Sequence, residues 1–163
     1  MRNAAGNPAA QSIDTNDAVL RATGVLMLLA IGTIHFLQIV PTTEQTPLLG
    51  VAFLGIIAAS LAVAVWLAHQ GSRLVWTAGA TVCAAAIGGY AFTRIFSTPI
   101  DNQDVGNWSC MLGMAALFVE TTLLGLSVYR ARAQRLVLTA VAELPRSQRS
   151  QRRRATRGDP NAA

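Results

Sequence analysis

The sequence predicts an all-α fold: a four-transmembrane-helix bundle with both termini cytoplasmic and a basic, largely disordered C-terminal tail. Three observations carry that reading. Four apolar stretches, Gly24–Val40, Leu48–Ala68, Leu74–Thr93 and Met111–Val128, are separated by short polar links. A spanning helix needs roughly 20 mostly apolar residues at ~1.5 Å rise each, a length that three stretches approach directly and the first reaches once Ala18–Thr23 is counted. Composition agrees, because the 163 residues are 52% hydrophobic and only 13% charged, with mean hydropathy +0.41. Soluble domains carry about 25% charged residues. Finally, all positive side chains other than the two histidines are arginines, and only Arg94 falls on the far side of the zigzag.

The elements follow in order. Met1–Asp17 is polar and carries little charge, which makes 1–17 a flexible N-terminal segment rather than a cleaved signal, since no basic region or small-residue cleavage site frames the first apolar run. Pro41 and Pro47 bracket the first outer link, Thr42–Thr46, because proline cannot donate the hydrogen bond that would continue a helix. Segment two ends at His69–Ser72. The second outer link runs from Ser97 past Pro99 to Trp108, is acidic through Asp101 and Asp104, and places Trp108 where an indole suits the membrane interface. Segment four should begin near Asn107 or Trp108, which sets the transmembrane domain at 18–129.

Arg2, Arg21, Arg73 and the nine arginines that follow segment four lie on the side that resists translocation, so that side is expected in the cytoplasm of a cell (plasma) membrane protein. Residues 130–144 either continue segment four or form an interfacial helix. Residues 145–163 are too polar to bury a core, so they are expected as a disordered arginine-rich tail against anionic lipid headgroups. The net charge of +5 sits mainly there and does not point to nucleic acid. The expected partners are the bilayer and either another membrane protein or a second copy of this chain.

Small residues at four-residue spacing let helices approach closely in lipid. Ala80, Ala84 and Gly88, Ala85 with Gly89, and Ala58 with Ala62 form such stripes, which would make segment three central. The leucine-rich face of segment one would meet lipid.

A few polar residues sit at a cost. Glu120 lies about twelve residues below the outer boundary, ~18 Å deep. An ionised carboxylate there costs roughly 2.5–3.5 kcal/mol, which makes an intramembrane acid a functional candidate; its other reading is a hydrogen-bonded lock between helices. Ser60, Cys83, Thr121 and Thr122 fall near the same depth. Nearer the outer face are His35, Tyr90 and Arg94, with Gln38 and Cys110, and Arg94 can snorkel towards Asp101 or Asp104. Two readings stand: an interfacial clamp, or an outward-facing pocket lined by His35, Tyr90 and Arg94 and ending at Glu120, suited to a small anion, a quinone-like headgroup or protons.

No cofactor or metal is expected, since His35 and His69 lie on opposite sides and no paired Cys or His motif occurs. Cys83 and Cys110 differ in depth by ~12 Å, too far for a disulfide. No nucleophile, base and oxyanion set is recognisable, so catalysis is not expected. The function expected is therefore a non-enzymatic membrane component or accessory subunit, with a small-solute or proton-coupled transporter-like protein as the alternative.

The run Gly89-Tyr90-Ala91-Phe92-Thr93-Arg94, then Pro99, Asp104-Val105-Gly106-Asn107-Trp108, Leu112-Gly113 and Val119-Glu120 resembles the second half of a group of uncharacterised actinobacterial four-helix integral membrane proteins. His35 and Pro47-Leu48-Leu49-Gly50 fit as well. The similarity covers about Gly32 to Glu120 and implies lineage and topology, without a mechanism. The arginine-only basic set suits a GC-rich bacterial genome.

Overall fold

The structure, a computed structural model, describes residues 8–97 and 104–143. Four helices hold nearly all of them: α1 (Pro8–Gln45), α2 (Pro47–His69), α3 (Arg73–Ile95) and α4 (Met111–Glu143). Each is long and apolar enough to cross a membrane, over Thr15–Gln45, Pro47–His69, Arg73–Ile95 and Met111–Leu136. At ~1.5 Å per residue α2 and α3 measure ~35 Å, matched to a ~30 Å hydrocarbon layer, while α1 is longer by about four turns and α4 by about three.

Short connections force neighbouring helices antiparallel. The chain runs up and down in a ring, with α1 against α2 and α4, and α3 against α4 and α2. The α1–α2 and α3–α4 interfaces are the most extensive and α2–α3 the thinnest. No helix is central.

Inward-facing positions recur in steps of three and four, the spacing that keeps a seam facing its neighbours in a bundle. Gly24, Leu28, Ile31 and His35 form the seam of α1, and Ser60, Val63 and Leu67 continue it on α2. Trp76, Gly79 and Cys83 supply α3, and Gly113, Ala116, Glu120, Leu123 and Ser127 supply α4. The outer surface is apolar: Phe118 is 73% exposed and Leu26 67%, the inverse of a water-soluble protein.

Several sequence expectations need correcting. The first outer link is not five residues long, because α1 continues through Pro41 to Gln45 and only Thr46 separates it from α2. Proline removes one backbone donor, a loss that membrane helices tolerate, and the Thr46 N–H still donates to the Thr42 carbonyl at 2.7 Å. Pro47 then occupies the first turn of α2, where its missing N–H would have had no helical partner. Helix α4 starts at Met111, later than Asn107 or Trp108, because 104–110 form a turn that packs back on α3.

The small-residue stripes also lie off the packed seams. Ala58, Ala62, Ala84, Ala85, Gly88 and Gly89 are exposed, and close packing goes through Gly79, where an added Cβ would sit 3.5 Å from the Ser127 hydroxyl. The seam of α3 is set by Trp76 and Val82, and positions one residue away are turned by about 100°. Thr121 and Thr122 likewise point outward, so they do not join Ser60 and Cys83 in a buried layer.

Helix α1 begins inside the segment expected to precede it, and 130–143 simply prolongs α4. Residues 1–7, Asp101 and the tail 145–163 lie outside the described residues.

Candidate functional site

At the end of the bundle that carries the α1–α2 turn and the α3–α4 loop, the four helices enclose a cavity of about 520 Å³. His35, Tyr90, Arg94 and Glu120 all line it, each from the inward seam of its helix. Its size falls in the range typical of small-molecule sites.

Glu120 marks the deep end. It is 2% exposed, and its Oε1 has no hydrogen-bond partner among the described residues. His35 faces it, with Nε2 3.8 Å from Glu120 Oε1, beyond hydrogen-bond length. The other ring nitrogen, Nδ1, lies 2.9 Å from the Ile31 carbonyl. A carbonyl only accepts, so Nδ1 carries the proton and Nε2 is left to exchange one with the carboxyl or with a molecule between them. Phe53 from α2 meets the imidazole edge-on at 5.0 Å and fixes the ring plane.

The mouth is held by Arg94 and the loop after α3. Arg94 Nη1 forms an ion pair with Asp104 at 2.9 Å, and the guanidinium lies 4.6 Å from the centre of the Tyr90 ring. The Tyr90 hydroxyl donates to the Trp108 carbonyl at 3.2 Å, and the Gly106 N–H donates to the Arg94 carbonyl at 2.9 Å. Gly106 has φ +77°, a left-handed conformation that suits glycine and turns the chain here. Gly113 lets the Tyr90 ring lie against α4, because a Cβ there would come within 2.7 Å of it. Trp108 is about half exposed at the rim.

Between mouth and floor the walls are apolar or small, with Leu49, Ala52 and Ile56 from α2 and Ala85, Ala86 and Gly89 from α3. Two nitrogens facing this region are buried without partners among the described residues, Gln38 Nε2 and Arg94 Nε. The arrangement can hold an apolar body, offer N–H donors to it, and pass a proton at His35 and Glu120.

Sequence reading missed Phe53. It lies one heptad before the buried Ser60, so the α2 seam could have found it. It also missed the clamp at the opposite end. There Arg21 donates to the Leu67 and Ala68 carbonyls, Arg130 pairs with Asp17, and Gln134 donates to the Gly71 carbonyl at 2.7 Å. In the sequence Arg21 is a topological signal, and Arg130 is that and part of a continued or interfacial helix; neither position announces these contacts.

Cys83 and Cys110 are free thiols, the first buried in the core and the second on the cavity wall. No family model matches the chain, and no curated protein or solved structure does either.

Proposed function

We propose that the protein is a non-enzymatic, multi-pass component of the plasma membrane that holds a small molecule in the cavity between its four helices and exchanges a proton with it at His35 and Glu120. The observation that carries this is Glu120: a carboxyl almost wholly buried, lining a cavity, with an oxygen that the described residues leave without a hydrogen-bond partner. Intramembrane acids are costly and mark functional sites. A carboxyl serving only to lock helices together would have its hydrogen bonds made within the bundle.

In this reading the cavity opens at the outer end and both termini are cytoplasmic, as the arginine bias supports. The tail then lies against anionic lipid on the inner face. The likeness to the actinobacterial group is consistent with this topology and remains a proposal about lineage.

The test is co-purification. Wild-type protein, Glu120→Gln and His35→Ala are extracted in mild detergent, and the small molecules that accompany each are identified by mass spectrometry. A molecule bound to wild type with its occupancy at least severalfold lower in both variants, which themselves stay folded, is the expected result. Equal occupancy in all three, or no bound molecule in wild type, would leave the protein a scaffold or accessory subunit.

A further inference from the structure

We infer that the cavity is filled from the lipid side, through the gap between α2 and α3, by a bilayer-dissolved amphiphile whose neutral headgroup accepts hydrogen bonds. This rests on the reading of the cavity as a ligand site and adds both the class of the ligand and its route.

The route comes from residues that belong to two surfaces at once. Ala52 on α2 and Ala85 and Gly89 on α3 line the cavity, yet all three are exposed rather than covered by a neighbouring helix. The wall is therefore open where they stand. A Cβ added to Gly89 would meet nothing within 4 Å, and α2–α3 is the thinnest of the helix interfaces. Gly89 sits six residues before the end of α3 at Ile95, ~9 Å inside the helix, which places the gap within the spanning segment. Over the α3–α4 side of the mouth, by contrast, the chain is tied down by Arg94 with Asp104 and by Tyr90 with Trp108.

The ligand class comes from the balance of charge and hydrogen bonding. The charge of Arg94 is already met by Asp104, so the site is not built to capture a free anion. His35 and Glu120 are neutral together when they share one proton. Besides Glu120 Oε1, which can itself donate when the carboxyl is protonated, the buried cavity-lining atoms without partners among the described residues are the donors Gln38 Nε2 and Arg94 Nε, and buried donors are costly to leave unpaired. A carbonyl oxygen would satisfy them. Leu49, Phe53 and Ile56 offer an apolar bed for the body of the molecule, and a tail can leave between α2 and α3 into lipid.

The test has two arms, both on the full chain. For the route, Cys83 and Cys110 are replaced by alanine, and a nitroxide is attached at Gly89→Cys, at Phe118→Cys as a lipid-facing reference and at Val105→Cys as a loop reference. In liposomes, the Gly89 label should collide with dissolved oxygen as often as the Phe118 label does, and with a water-soluble nickel chelate far less often than the Val105 label. Nickel contact at Gly89 equal to that at Val105, or oxygen contact well below that at Phe118, overturns the lateral route. Neither outcome touches the cavity reading, which the Glu120→Gln occupancy decides.

For the ligand class, decyl-benzoquinone is titrated into the purified protein and thermal unfolding is followed. A saturable rise in Tm is expected, with Gln38→Leu weakening the apparent affinity about three- to tenfold, the worth of one hydrogen bond. Gly89→Leu, whose Cβ meets nothing within 4 Å, adds bulk at the gap and should also weaken it. The absence of saturable stabilisation of wild type, or wild-type affinity in both variants, overturns the assignment.

Discussion

The two ends of this bundle share four helices and one inward periodicity, yet one is packed and the other hollow. At the end holding the α2–α3 turn, the seam positions are Leu28, Ile31, Leu67, Val75, Trp76 and Leu123, all at most 1% exposed. Arg130 lies 6.0 Å over the Trp76 ring, and Arg21 and Gln134 close the carbonyls left open where α2 ends. At the other end the space between the helices is lined by Ala52, Ala85, Ala86, Gly89, Gly113 and Ala116, which are too small to fill it. Side-chain volume, not backbone geometry, decides which end is solid. Each end has its charge clamp, Asp17 with Arg130 at the packed end and Arg94 with Asp104 at the hollow one, and buried polar atoms without partners among the described residues occur at both; only those at the hollow end, on Gln38, Arg94 and Glu120, belong to residues that line a cavity.

The hardest blow to this contrast would be Trp76→Ala. Trp76 is the largest fully buried side chain, and truncating a buried tryptophan costs about 3–5 kcal/mol. Denaturation by sodium dodecyl sulfate in mixed micelles should show that loss. A change below about 1 kcal/mol would mean that the solid end is not where the stability resides.

A paired substitution sharpens the comparison. Gly24→Leu puts a side chain where even a Cβ lies 2.8 Å from Leu67 and 3.1 Å from Trp76, and should cost about 1–3 kcal/mol through overpacking. Ala116→Leu places a similar bulk against the cavity and should be tolerated, while it excludes any ligand. Equal destabilisation by the two would contradict the difference between the ends.

Much of this was legible in the sequence because bilayer physics is coarse. Spans declare themselves by length and apolarity, and Glu120 stands out because a carboxyl in hydrocarbon is costly. Its pairing with His35 follows once both are placed on seams spaced by three and four residues. What was not legible is finer. Small-residue stripes cannot reveal which face they occupy: the seam of α3 runs through Gly79 and Cys83, one position before Ala80 and Ala84, so the stripe that the sequence points inward has Ala84 and Gly88 exposed. Pro41 reads as a stop because proline lacks a donor, but the helix gives up one bond and continues. The Asp17–Arg130 pair joins the two extremes of the described chain, and nothing local to either residue announces it.

A smaller effect is expected at that pair. Asp17→Asn removes an ion pair whose aspartate side chain is 38% exposed, so solvent screens much of the attraction, and a loss of about 0.2–1 kcal/mol should appear that shrinks in high salt. A salt-independent change would assign the contact to packing of Arg130 on Trp76 instead.

The smallest effect on stability belongs to the residue proposed to matter most for function. Glu120 Oε1 makes no hydrogen bond among the described residues, so Glu120→Gln forfeits none at that atom. The new amide can donate to His35 Nε2, because Nδ1 holds the ring proton against the Ile31 carbonyl. A neutral amide is also cheaper to bury than a carboxyl that can carry charge. The variant should therefore unfold at or above the wild-type denaturant midpoint while its ligand occupancy falls. If Glu120→Gln instead unfolds as readily as Trp76→Ala, the carboxyl is a structural lock, and the hollow end holds the bundle together as firmly as the solid one.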